Sequence, residues 1–98
     1  MSFEDIVYTH IHQIPFGHTM SYGQIARLAG YPNHARQVGK TLKNLPKDTQ
    51  LPWHRVINAQ GKISFPQDSE QYNEQLKRLQ NEGVAIKNGR IAKKYFLG

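Results

Sequence analysis

The pattern of apolar positions divides the chain into a helical first half and a mixed second half. Phe3, Ile6, Val7, Ile11 and Ile14 recur at the spacing of one buried helix face, and Pro15 and Gly17 end it. SYGQIARLAG predicts a short second helix, with Ser21 as cap, Gln24 three residues on as in a capping box, and Gly30 as stop. After the turn YPN, Asn33 is placed to cap a third helix, HARQVGKTLKNL, in which Ala35, Val38, Leu42 and Leu45 form an apolar stripe. Two short helices joined by a tight turn predict a helix-turn-helix. Beyond them, VINAQGKIS predicts a small hairpin turning at Gln60-Gly61. DSEQYNEQLKRLQNEG predicts a fourth helix starting near Asp68 or Ser69, with Tyr72, Leu76 and Leu79 inward and Gly83 at its end. In VAIKNGRIAKKYFL, the Asn88-Gly89 pair between alternating apolar residues predicts a closing hairpin.

The expected fold is therefore mainly α with small β-hairpins, a winged helix-turn-helix, arranged as one domain over residues 1–98. An apolar fraction of 38% is ordinary for a globular chain. No apolar run approaches the roughly 20 residues of a membrane span, and MSFED has neither the basic start nor the apolar core of a secretory signal. The expected location is the cytoplasm, with the nucleoid as the place of work if the source is prokaryotic.

Charge adds a partner. Lys and Arg number 13 against 7 Asp and Glu, a net +6, and the excess is uneven. Residues 1–26 hold no Lys or Arg, whereas residues 36–62 hold six against one acid, Asp48. On the third predicted helix Arg36, Lys40, Lys43 and Lys47 recur at i, i+4, i+7 and i+11, a basic stripe where a helix-turn-helix meets DNA. Gly39 and Ala35 stand beside it. Glycine costs a helix interior about 1 kcal/mol relative to alanine, which makes sense if something must approach the backbone closely. Lys87, Arg90, Lys93 and Lys94 place further phosphate contacts on the closing hairpin.

Cysteine is absent, which removes disulfides, thiolate metal sites and any thiol nucleophile. The histidines at 10, 12, 18, 34 and 54 have no carboxylate or thiol cluster to complete a metal site, so neither metal nor cofactor is expected. LPWHRVIN holds the chain's single tryptophan, Trp53. On its own, a lone Trp before polar residues reads as a core residue at the start of a strand.

The neighbours give Trp53 another meaning. IPFGHTMSYGQIARLAGYPNHARQVGKTLKN, then LPWHRVINAQGKIS, then LQNEG resemble the C-terminal DNA-binding domain of the 6-O-alkylguanine-DNA alkyltransferases, from about Phe3 to the last hairpin. In those enzymes the active-site block reads Pro-Cys-His-Arg, and the cysteine removes an alkyl group from a flipped guanine. Trp53 occupies the cysteine's position, which is the mark of the alkyltransferase-like proteins. An indole N–H is a donor only, so it cannot replace a thiolate.

A single domain of this size offers no obvious dimerisation segment, so a monomer is expected. The resemblance implies a protein that binds double-stranded DNA containing 6-O-alkylguanine through the minor groove. It flips the lesion into a pocket walled by Trp53, transfers nothing, and marks the site for a nucleotide excision repair protein. Carried over residue by residue, Tyr22 crowds the target phosphate, and Arg36 is the finger that fills the gap in the base stack. Ala35, Gly39, Lys40 and Lys43 complete the DNA-binding helix. Pro52, Trp53, His54 and Val56 form the pocket, the carbonyls of Trp53 and Val56 facing the guanine amino group. His54 and Glu82 match the relay that activates the thiol, and here are left to orient the loop, with Asn44 matching a supporting asparagine. SFPQDSEQ departs from the alkyltransferase pattern in lacking its glycine- and tyrosine-containing stretch, and it lacks an arginine that some alkyltransferase-like proteins place there. Phe65 and Pro66 are the two candidates for meeting the alkyl group. Two other classes stay open: an enzyme in which His54 and Glu82 activate water on alkylguanine, and a winged helix-turn-helix transcriptional regulator with a preferred sequence and no interest in alkylation.

Overall fold

The computed structural model describes residues 1–97. Helices α1 (Phe3–His12), α2 (Tyr22–Leu28), α3 (Ala35–Lys43) and α4 (Glu70–Asn81) are joined by two-residue strands: β1 (Met20–Ser21), β2 (Val56–Ile57), β3 (Ile86–Lys87) and β4 (Arg90–Ile91). Single 3-10 turns lie at Trp53–Arg55 and Lys93–Tyr95. The protein is mainly helical with short strands, as its periodicities predict.

Three helix starts follow from local side-chain chemistry. Ser2 with Asp5 and Ser21 with Gln24 form reciprocal capping boxes, and the Ser69 hydroxyl accepts from the Tyr72 N–H. The third helix differs from expectation. Its cap is His34, without a side-chain capping bond, because a turn closed by the His34 N–H on the Tyr31 carbonyl (2.9 Å) leaves Asn33 one residue outside. The ring of His34 packs instead with Phe3 and Tyr31, at centroid distances of 5.8 and 5.2 Å. The helix also ends early, at Lys43. Pro46 disfavours helical geometry in the residue before it, so Leu45 and Lys47 lie beyond the helix.

Helix α2 packs chiefly on α3, and α1 braces both. Val7, Ile11, Ile14, Met20, Ile25, Ala26, Val38 and Val56 form the core beneath them. A second cluster, Ile57, Ile63, Leu79, Val84 and Ile91, lies under α4 and the last hairpin. Strand β2 divides the two: Val56 and Ile57 are both buried, one in each cluster, because successive strand residues face opposite ways.

That division explains a second departure. The chain turns after Asn58, whose N–H donates to the Lys62 carbonyl at 3.0 Å, but no hairpin ladder follows. Strand β2 pairs in parallel with β1, Met20 opposite Val56, while Lys62 bridges to Arg90. Gly61, at φ +80°, sits where a Cβ would come within 2.9 Å of the Phe96 ring and 3.2 Å of the Ile91 carbonyl, so a side chain there would be strained and would push on its neighbours. The closing hairpin forms as expected, β3 against β4, through Asn88 (φ 56°) and Gly89 (φ 75°). The backbone of Thr19 then takes the chain's end, accepting from the Leu97 N–H and donating to the Tyr95 carbonyl.

Candidate nucleic-acid interface and its pocket

Helix α3 buries Val38 and Thr41 and turns Arg36, Lys40 and Lys43 outward. At 100° per residue those three cations span an arc of about 60°. Arg36 has no hydrogen bond or ion pair among the described residues, and the first turn of α3 holds no acid to offset it. A cation there has the wrong sign for the helix dipole. Gly39 faces open space, since an added Cβ would meet nothing within 4 Å. No internal packing explains this glycine, and Ala35 beside it is half-buried. The outward face of α3 thus carries features that cost helix stability and that no contact within the described residues offsets.

The turn carrying Trp53 is fixed by backbone bonds and by one buried carboxylate. The Trp53 N–H donates to the Leu51 carbonyl (2.8 Å) and the Arg55 N–H to the Pro52 carbonyl (3.0 Å), so His54 points inward and is buried. Its Nε2 lies 2.5 Å from Glu82 Oε2. Arg55 grips the same carboxylate through Nε and Nη2, at 2.9 to 3.1 Å, and donates from Nη1 to the Ile14 carbonyl at 2.7 Å. The Gly17 N–H supplies a further donor to Glu82 at 2.8 Å. Burial alone would raise the Glu82 carboxyl; Arg55, Gly17 and His54 outweigh it and hold the group at about 2. Burial pushes the His54 imidazole below its ordinary value, against the pull of Glu82. His54 is therefore neutral at pH 7. Its proton belongs on Nε2 facing the carboxylate, which leaves Nδ1 a buried acceptor with no partner among the described residues.

Gln75 completes the frame. Buried on α4, it donates from Nε2 to the carbonyls of His54 (3.0 Å) and Val56 (2.9 Å). Sequence reasoning missed it, although a signal existed: a glutamine on the inward stripe of Tyr72, Leu76 and Leu79 needs an internal partner. Asn44, expected to support this loop, caps α3 through its backbone and makes no side-chain hydrogen bond among the described residues.

A cleft of about 450 Å³ opens beside Trp53. Leu42, Lys43, Leu45, Pro46, Lys47 and Thr49 line one part, Phe65 another, and Glu70, Gln71, Glu74 and Arg78 of α4 the rest. Phe65 meets the indole edge-on, perpendicular, with centroids 6.0 Å apart. The guanidinium of Arg78 lies 5.3 Å above the indole centre, while its Nε donates to Glu74 at 2.7 Å. Of the residues expected around the pocket, Trp53 and Phe65 line this cleft. Val56 and His54 are buried on the inner side of the turn, and Pro52 and Pro66 are not in the lining. The carbonyls of Trp53 and Val56 already accept one bond each, from the Val56 N–H and from Gln75. Tyr22 is held apart, its hydroxyl 2.5 Å from Ser64 and its acidity weakened by burial. Arg78 and Glu74 were not foreseen; nothing in the local pattern separates them from an ordinary exposed helix pair.

Among the described residues no cluster of three or more His, Cys, Asp or Glu is placed to hold a metal ion, and no helix is long and apolar enough to cross a membrane.

A basic helix-turn-helix beside a framed turn and cleft defines a class, and comparison with known proteins gives the same one. Residues 2–84 match the DNA-binding domain of 6-O-methylguanine DNA methyltransferase, and the chain belongs to that family. Within it, the chain is 48% identical over 87 residues to a DNA base-flipping protein of Vibrio parahaemolyticus, covering 88% of this chain and 85% of the relative. It is also 48% identical over 80 residues to alkyltransferase-like protein 1 of Schizosaccharomyces pombe, covering 82% of this chain and 74% of that one. A crystal structure of S. pombe Atl1 in complex with damaged DNA containing O6-carboxymethylguanine superposes with a TM-score of 0.89 at 40% identity, over 98% of this chain and 94% of that one. The O6-methylguanine methyltransferase of Mycobacterium tuberculosis matches less fully, at TM-score 0.72 and 35% identity, and this chain spans 48% of it. The chain has no cysteine to accept an alkyl group, and it is an alkyltransferase-like member of the family.

Proposed function

We infer that the protein binds duplex DNA carrying a 6-O-alkylated guanine and draws the lesion into the cleft beside Trp53. It holds the lesion there, one copy per lesion and without alkyl transfer, as a signal for nucleotide excision repair. The observation that carries this reading is the His54–Glu82–Arg55 frame beneath Trp53, the residue that the family resemblance sets in the nucleophile's place. The relatives fit it: one is a DNA base-flipping protein, and the S. pombe structure holds damaged DNA containing O6-carboxymethylguanine.

Two energies favour a lesion over a normal guanine. Poor pairing lowers the cost of extrusion, a term of a few kcal/mol. Apolar surface on the adduct gains about 1 kcal/mol per methyl against Trp53 and Phe65. On α3, the unpaired planar guanidinium of Arg36 suits insertion into the gap left in the stack. Gly39 and Ala35 allow the helix to sit close to the groove, and Lys40 and Lys43 reach phosphates. Tyr22 exchanges its bond to Ser64 for the phosphate of the rotated nucleotide.

The test is paired. At matched salt, a duplex with one 6-O-methylguanine is expected to bind more tightly than its unmodified twin, and mass spectrometry after long incubation is expected to find protein and oligonucleotide unchanged. Equal binding sinks the lesion reading. Loss of the methyl group from DNA turns the reading into an enzyme that activates water through His54. Arg36→Ala is expected to weaken lesion binding more than Lys94→Ala does; equal losses reduce Arg36 to a phosphate contact.

A further inference from the structure

Arg78 and Glu74 have no part in the frame that holds the Trp53 turn, and they lie in the cleft wall. Arg78 uses only Nε, on Glu74 at 2.7 Å; its two terminal nitrogens make no hydrogen bond among the described residues. The guanidinium carbon lies over the indole, 5.3 Å from its centroid, and the Glu74 bond ties it there, so those free donors are held beside the ring. A substituent that reaches this face of Trp53 meets the guanidinium before it meets the indole. The pair is half-exposed and would contribute little as a helix staple. The rest of the lining carries Lys43 and Lys47 against Glu70, so the cleft holds three cations and two carboxylates.

We propose that Arg78, balanced by Glu74, is a charge-reading subsite that favours lesions whose O6 substituent ends in a carboxylate over neutral alkyl groups of the same size. The proposal rests on the lesion reading of the cleft. A guanidinium offers parallel donors that match a carboxylate, and that match is stronger than bonds between neutral groups. Glu74 keeps the empty cleft near balance and competes with the incoming anion. A neutral chain gains only apolar contact with Phe65, Leu42 and the indole.

Three duplexes, identical but for one guanine that is unmodified, 6-O-propyl or 6-O-carboxymethyl, test this with wild-type protein, Arg78→Met and Glu74→Gln. Methionine keeps an apolar cover over the indole. The wild type is expected to bind the carboxymethyl duplex more tightly than the propyl one. Arg78→Met is expected to lose roughly tenfold of that ratio while still preferring propyl to unmodified DNA. Glu74→Gln is expected to tighten the carboxymethyl complex and leave the propyl one unchanged. A carboxymethyl-to-propyl ratio that is the same in all three proteins overturns the subsite and leaves the lesion reading standing. Neither adduct binding better than unmodified DNA overturns the lesion reading, and the subsite with it. Thermal melts of the variants show whether each is folded when scored, and because the two substitutions shift the ratio in opposite directions, either one alone decides the outcome.

Discussion

Helix α4 and its C-cap present two carboxylates, Glu74 and Glu82, to two arginines around the turn that carries Trp53, and the pairs differ in nearly everything else. The Glu82 side chain is 7% exposed and accepts from Arg55, His54 and the Gly17 N–H; that of Glu74 is 46% exposed and, among the described residues, accepts from Arg78 alone. On the buried side every strong donor around the carboxylate is committed, so the turn has one position. On the cleft side a guanidinium keeps two nitrogens free over an aromatic face. The same ion pair thus serves rigidity where it is saturated and buried, and recognition where it is unsaturated and wet.

The largest effect falls on the buried pair. Glu82→Gln keeps an acceptor for Gly17 but leaves Arg55, 15% exposed, without its counter-ion. Removing one partner of a buried pair destabilises by about 3–5 kcal/mol. Urea denaturation at pH 7 is expected to show a loss in that range, with lesion binding falling in parallel as the Trp53 turn loosens. A loss under about 1 kcal/mol would mean that Glu82 is no more structural than Glu74.

Acid should act through the same frame. Both folded-state values lie below the ordinary ones, 4.5 for the carboxyl and 6.5 for the imidazole, so the unfolded chain binds more protons and stability falls as pH falls. The His54 contribution begins to fade below 6.5, and that of Glu82, a few kcal/mol, between 4.5 and about 2. Unfolding free energies at pH 7, 5 and 3 are expected to decline throughout for the wild type. Glu82→Gln should flatten the lower step; an unchanged slope would assign acid sensitivity to other groups.

How far the sequence discloses this arrangement depends on the reach of each interaction. The capping boxes at Ser21 and the Asn88-Gly89 turn are set by residues within a few positions, and they form as read. Strand β2 misleads because its partner is β1, and nothing within VINAQGKIS signals a parallel neighbour so far away. Asn33 misleads because an equally local turn, closed at His34, wins the competition for the helix start. The roles of His54 and Glu82 came only from family resemblance, while Gln75 could have been suspected from a polar residue on an apolar stripe. Arg78 carries no such signal: at i+4 from Glu74 it looks like any solvated helix pair until the fold sets it over Trp53.

Outward surfaces should tolerate, and even gain from, changes that the frame cannot. Gly39 meets no protein atom within 4 Å of an added Cβ. Gly39→Ala is expected to raise stability by about 1 kcal/mol. If α3 lies close in the groove, the same methyl should weaken binding to lesion and unmodified duplexes alike, since it alters the approach of the helix and not the pocket. A more stable variant with unchanged DNA affinity would remove Gly39 from the interface.

The smallest expected effect is the counterpart of the first. Glu74→Gln removes the same charge within α4, eight residues before the C-cap Glu82, yet the side chain it releases keeps its place over Trp53 and its exposure. The melting midpoint should stay within roughly 1–2 °C of wild type, because an exposed i,i+4 pair contributes little to the folded state. Combined with Glu82→Gln the two losses should add, as the carboxylates share no hydrogen-bond partner. A midpoint lowered as far as by Glu82→Gln would place Arg78 and Glu74 in the structural frame, and the division between a rigid inner side and a responsive cleft would collapse.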